Sequence, residues 1–182
     1  WAQAHSANPR AQHAAGRAML CATLVTQPLA QAIVGDMATD VDGAALLTCR
    51  AAGRAGVGLV TLAVPESLQP LFAAKVVEAT TMALPEDDVE EVDPEPALAR
   101  ILDHEHDAIV VGPGLRPGLA TTELVRELIA APGDDAAPIV LDAEALRSIA
   151  TMDGWWLGDR RPAVLTPHAG EFARLRAGSG HE

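Results

Sequence analysis

Thr166, His168 and Glu171 fall within six positions, in the run Pro162-Ala163-Val164-Leu165-Thr166-Pro167-His168-Ala169-Gly170-Glu171-Phe172. Pro167 pushes the residue before it away from helical backbone, so the apolar stretch ahead of it reads as a short strand that ends there. His168 and Glu171 then lie in the first turn of a helix, about one turn apart. A carboxylate is favoured at that end by the helix dipole, and free N–H groups there can hold an anion. Polar groups gathered at a strand end are where an open α/β sheet places its ligand. A capped surface helix is the plainer alternative.

Two further runs repeat this design. Ala108-Ile109-Val110-Val111-Gly112-Pro113-Gly114-Leu115 and Pro138-Ile139-Val140-Leu141-Asp142-Ala143-Glu144-Ala145-Leu146 each place a Gly or Asp after a β-branched apolar stretch and before a helical one. Gly112 and Gly114 remove side chains where a ligand or its phosphate can approach the backbone; an ordinary tight turn needs the same residues. Asp142 presents a carboxylate at a strand end, or caps the helix that follows.

The elements that must position these groups alternate along the chain. Strands are expected at Gln31–Gly35, Gly58–Val64, Val76–Ala83, Asp107–Gly112, Pro138–Ala143 and Ala163–Thr166. Helices are expected at Gly43–Ala55, Pro65–Ala74, Pro96–His104, Thr121–Ala130, Glu144–Ala150 and Gly170–Ala177, with a further helix in Ala11–Thr26 behind a loose polar start. Strands that read as near-continuous apolar runs are buried on both faces, and their alternation with helices implies a mainly parallel sheet. We therefore divide the chain into a tail and helix at 1–30 and one α/β domain at 31–182. Trp155-Trp156 falls in a Gly-bounded loop and is expected to anchor it by aromatic packing.

Composition narrows the function classes. The chain has 182 residues, 49% of them hydrophobic, with only three Trp and two Phe as aromatics, so its core is built from small aliphatic side chains. A formal net charge of −12 excludes a nucleic-acid footprint, which needs clustered Lys and Arg. The acidic stretch Pro85–Glu95 has no His or Cys beside it and reads as a solvated loop. Cys21 and Cys49 lack the spacing of a metal or redox motif and read as free thiols of a reduced, cytoplasmic environment. No apolar run is long enough to cross a bilayer. Ala18–Val25 followed by Ala30-Gln31-Ala32 mimics a signal peptide only poorly, since Thr23 and Thr26 interrupt it.

Taken together, the three motifs resemble the NAD(P)H-hydrate dehydratase family, carbohydrate-kinase-like enzymes of ribokinase-type fold. That family carries Gly-Pro-Gly-Leu, Asp-Ala-Asp-Ala-Leu and Thr-Pro-His-x-Gly-Glu-Phe in this order. Gly43-Ala44-Ala45-Leu46-Leu47 and Arg54-Ala55-Gly56-Val57-Gly58-Leu59-Val60-Thr61 also look like its first helix and the entry to its second strand, so the resemblance covers roughly residues 31 to 176. It implies a layered α/β sandwich with a mainly parallel central sheet. It further implies transfer of a phosphoryl group from ADP or ATP, with Mg²⁺, to the hydroxyl of hydrated NADH or NADPH, followed by loss of phosphate. By matching positions, Ala44, Gly114 and His168 would contact the hydrated cofactor, Gly112 and Asp142 would shape the crevice, and Glu171 would support His168. Assembly into a tetramer or larger homo-oligomer is part of the same implication.

Three departures bear on it. Glu144 stands where the family has a second Asp, and Asp36-Met37-Ala38-Thr39-Asp40 replaces the usual Gly- and Ser-rich loop. The family's Lys-Gly segment and Gly-x-Gly-Asp motif, which supplies the catalytic Asp, have no counterpart among these residues. Ala177-Gly178-Ser179-Gly180-His181 echoes the motif but has His in place of Asp. The expectation is thus a C-terminally truncated ribokinase-like domain, with a small-molecule kinase or a catalytically incomplete binding relative as alternatives.

Overall fold

The computed structural model describes residues 17–21, 40–87, 91–130, 137–157 and 160–179. Its strands are β1 (Arg17–Cys21), β2 (Leu59–Pro65), β3 (Thr80–Leu84), β4 (Ala108–Val111), β5 (Ile139–Leu141) and β6 (Ala163–Leu165). Its helices are α1 (Asp40–Arg54), α2 (Gln69–Lys75, entered through a 3₁₀ turn at Glu66–Leu68), α3 (Pro94–Asp103), α4 (Leu119–Ala130), α5 (Glu144–Ala150) and α6 (Ala169–Gly178).

All strand pairs are parallel, in the order β3-β2-β1-β4-β5-β6. Each strand's two faces meet different helices because successive side chains point to opposite sides. Val60, Leu62 and Val64 of β2 pack with Ala45 and Cys49 of α1 and Phe72 of α2. On the other face Ala63, Ile109, Val111, Ile139 and Leu141 pack beneath α3, α4, α5 and α6 through Ile101, Leu124, Leu128, Leu146, Ile149 and Leu175. This is the three-layer sandwich that β-helix alternation demands. Progress outward from β1 to β3 uses helices on one face, and progress from β4 to β6 uses helices on the other, as right-handed crossovers require.

Most expected elements lie within a few residues of their observed positions. One expectation is corrected. The stretch Ala11–Thr26, read as a helix, contains β1, which sits at the centre of the sheet between β2 and β4. A short apolar run such as Ala18-Met19-Leu20-Cys21 has no periodicity that separates buried helix from buried strand. Pairing on both edges decides it. The strand expected at Gln31–Gly35 lies outside the described residues. The strand expected from Val76 starts only at Thr80, where pairing with Thr61 begins, and Val77 is fully in solvent.

The Trp pair behaves as expected. Trp155 packs on the larger core and Trp156, at 5.9 Å and 88° to it, stays partly exposed. Within the acidic stretch Glu86 and Val92 form an antiparallel bridge, and the Glu86 carboxylate accepts from the Ser67 amide and hydroxyl at 2.7 and 2.9 Å. Cys49 is free and buried, and burial pushes its thiol pKa up. No helix among the described residues is long and apolar enough to cross a membrane.

Candidate functional site

Strand order reverses direction between β1 and β4, the position at which a doubly wound sheet leaves a crevice beyond its strand ends. The residues singled out from sequence sit around that crevice. Gly112 follows β4, Asp142 follows β5 and Thr166 follows β6, at the carboxyl ends of three adjacent strands. Ala44 lies near the start of α1, which follows β1.

The Gly112-Pro113-Gly114-Leu115 turn is closed by Leu115 N–H donating to the Gly112 carbonyl at 3.0 Å. Proline at the second position and Gly114 at the third, with φ of 82°, make it a type II turn, which requires a residue tolerant of positive φ there. Gly112 has φ of 122°, and a Cβ on it would lie 1.7 Å from the Asp142 carbonyl oxygen. The missing side chain therefore lets β4 and β5 close together at their ends: the space a Cβ would need is filled by protein. Asp142 N–H donates to the Val111 carbonyl at 3.0 Å in the same contact. The Asp142 carboxylate caps no helix among the described residues. The N-cap position of α5 is Ala143, with φ of 47° and ψ of −117° and no side-chain cap.

Thr166 ties β6 to β5, since both its amide and its hydroxyl donate to the Leu141 carbonyl, at 3.2 and 3.3 Å. His168 and Glu171 form a reciprocal cap. His168 Nδ1 accepts from Gly170 N–H at 3.0 Å, and a Glu171 carboxylate oxygen accepts from His168 N–H at 3.0 Å. Glu171 Oε1 also lies 3.2 Å from His168 Nε2. With Nδ1 accepting, the neutral ring carries its proton on Nε2. The Glu171 side chain is nearly buried at 10% exposure, whereas that of His168 stands 68% exposed. The capped helix and the presented imidazole are one arrangement.

Ala44, Gly112, Gly114, His168 and Glu171 all line one cleft of about 510 Å³, together with Leu115, Pro117, Ala143, Glu144, Arg147 and Arg174. Asp142 is the expected member that does not line it. Arg147 and Arg174 are the members that sequence reading missed. Each stands three residues after a first-turn glutamate, Glu144 on α5 and Glu171 on α6, so each Glu–Arg spacing was a readable signal for one helix face. Arg147 is held by Glu144 at 3.2 Å. Glu171 is engaged by His168, and Arg174 has no ion pair among the described residues. The cleft thus combines glycine-lined backbone, an exposed imidazole and guanidinium groups, a set that suits an anionic, hydrogen-bonding ligand.

A doubly wound parallel sheet with its cleft at the switch point makes the chain an open-sheet α/β protein. A solved ribokinase-like protein of Enterococcus faecalis superposes with a TM-score of 0.63 at 19% identity, over 90% of this chain and 49% of that one. Bacillus subtilis YxkO superposes with a TM-score of 0.60 at 27% identity over the same shares. The family model described as NAD(P)H-hydrate dehydratase matches residues 32–181, and the chain belongs to that family. It is 43% identical over 136 residues to the bifunctional NAD(P)H-hydrate repair enzyme Nnr of Moorella thermoacetica, covering 73% of this chain and 25% of that protein. It is 39% identical over 144 residues to the ADP-dependent (S)-NAD(P)H-hydrate dehydratase of Xanthomonas campestris, covering 79% and 46%. The chain therefore spans between a quarter and a half of the length of these relatives.

Proposed function

We propose that this chain forms part of an ADP-dependent dehydratase that returns hydrated NADH and NADPH to their active forms. The observation that carries the reading is the convergence of Ala44, Gly112, Gly114, His168 and Glu171 on one switch-point cleft in a chain of this family. The relatives' names supply ADP, the hydrated cofactor and its dehydration, and the family resemblance implies the step: a phosphoryl group moves from ADP to the hydroxyl on the hydrated ring, leaving AMP. The phosphorylated carbon then expels phosphate as the ring nitrogen lone pair pushes in and the neighbouring carbon gives up a proton. This chain's part is binding and orientation, which such chemistry chiefly requires.

In this reading the Gly112-to-Leu115 turn and Ala44 offer a smooth wall for the nicotinamide end. The cap on α6 holds the His168 ring at the cleft surface with its tautomer set, and Glu171 keeps it there. Arg147 and Arg174 meet the anionic portion of the ligand. Among the described residues no three His, Cys, Asp or Glu side chains form a metal-holding group. A Mg²⁺ carried on the nucleotide phosphates with water, as is usual for this ion, is part of the proposal. ATP in place of ADP, the cytoplasm as compartment and assembly into a tetramer or larger oligomer belong to the same proposal.

Calorimetric titration of the protein tests it. His168→Ala weakens binding of hydrated NADH by about 1–3 kcal/mol, the value of one hydrogen bond to a polar or charged partner, and leaves ADP binding within a factor of two. Equal loss for both ligands removes His168 from the substrate side. Turnover of simple alcohols in place of hydrated NADH transfers the site to a small-molecule kinase.

A further inference from the structure

Among the ionic groups that line the switch-point cleft, Arg174 is the one whose head group has no partner among the described residues. Glu144 engages Arg147 at 3.2 Å. Both Glu171 carboxylate oxygens are taken by His168: one accepts from its amide at 3.0 Å and the other faces its Nε2 at 3.2 Å. Arg174 is exposed on α6, borders the cleft and forms no ion pair or hydrogen bond among the described residues. Its guanidinium offers a planar fork of donors, which matches two oxygens of a phosphate and finds no such match in an uncharged ligand group.

The position of this cation selects among the phosphates of a dinucleotide. His168 and Arg174 are six residues apart on one helix, about 9 Å along its axis. Long helical side chains lean toward the amino end, and both residues border the same cleft. A hydrated dinucleotide with its ring at His168 carries its diphosphate one ribose away. The 2′-phosphate that distinguishes NADPH from NADH sits beyond the diphosphate, on the second ribose. Between His168 and Arg174 the amino end of α6 already holds the Glu171 carboxylate, so the helix terminus is not free to take the ligand's anion itself.

Resting on the reading of this cleft as a hydrated-cofactor site, we propose that Arg174 binds the diphosphate of the hydrated dinucleotide. It thereby sets the preference of the cleft for a dinucleotide over the ring and ribose alone, and it does not distinguish NADH from NADPH. The test is calorimetric titration of the 182-residue chain with hydrated NADH, hydrated NADPH, the hydrated dihydronicotinamide riboside, which has no phosphate, and ADP. Arg174→Gln weakens binding of both hydrated dinucleotides by about tenfold or more, the size of one charge-assisted hydrogen bond. The same variant leaves the riboside and ADP within about a factor of two of wild type, and Arg147→Gln, whose charge Glu144 already engages, weakens the dinucleotides less. Circular dichroism of Arg174→Gln stays that of the wild type, since the side chain is exposed and unpaired. Unchanged dinucleotide affinity in Arg174→Gln, with loss in His168→Ala, overturns this proposal and leaves the reading of the cleft standing. Equal loss for the riboside, loss confined to hydrated NADPH, or loss for ADP in place of the dinucleotides overturns it as well. Failure of the wild-type chain to bind hydrated NADH overturns both.

Discussion

Gly112, just after β4, and Ala143, just before α5, make opposite demands on the backbone. Gly112, at φ of 122°, has no room for a Cβ beside the Asp142 carbonyl, while Ala143 holds φ of 47° although it carries one. Gly112→Ala should therefore lower stability by about 3 kcal/mol or more, since an unsuitable φ and a backbone clash coincide. Ala143→Gly should raise it by about 1 kcal/mol by releasing strain. Urea denaturation reads both, and the same sign for the two variants contradicts this geometry. Sequence revealed Gly112 because glycine announces conformational need. Ala143 was silent, because alanine carries no sign of the backbone angle imposed on it. Asp142 was expected to serve the crevice through its carboxylate and instead contributes its main chain to the contact that brings the strand ends together.

Among the elements, β6 is the least protected. It is an edge strand of three residues, and its Val164 aligns with Val140 of β5 and Val110 of β4 on one sheet face. Val110 packs against the smaller core, but Val164 is 56% exposed, as is Phe172 on α6. An open edge with apolar side chains is a template for pairing with another chain. Sedimentation velocity of the 182-residue polypeptide should show concentration-dependent association, and Val164→Lys should shift it toward the monomer without loss of helical circular dichroism. A wild-type chain that sediments as one monomeric species at every concentration, or a variant that associates as before, excludes β6 from the contact. The groove beside this edge, lined by Trp155, Trp156, Leu165, Pro167, Phe172 and Leu175, presents further apolar surface in the same region. Periodicity located β6 and α6 well, but the exposure of one sheet face depends on which helices cross it.

On the scale of the whole molecule, the chain covers 46% of an ADP-dependent relative, and no Gly-x-Gly-Asp occurs in its sequence. In family members that motif supplies backbone donors to the phosphate and an acid beside the reacting hydroxyl. Preorganised donors of this kind contribute about 10²–10³ in rate each, and a general base about 10²–10⁴. A polypeptide of these 182 residues should thus restore NADH absorbance from its hydrate at least about a hundredfold more slowly than a full-length relative. Hydrated NADH should still raise its melting temperature, because ligand bound only to the folded state stabilises it by mass action. Turnover within tenfold of the relative would mean that Asp142, Glu144 or Glu171 supplies the base.

The α/β class, the strand-turn-helix units behind Gly112, Asp142 and Thr166, and the pairing of His168 with Glu171 were legible in sequence. They rest on local physics: apolar periodicity, turn chemistry and the spacing of a capped first turn. Tertiary structure alone decided that Arg17–Cys21 is a central strand, that Gly112 makes room for a neighbouring carbonyl, and that Arg147 and Arg174 reach the same cleft as Ala44. Those outcomes depend on which strands pair and which helices meet, and such contacts join residues far apart in the chain, where no local pattern records them.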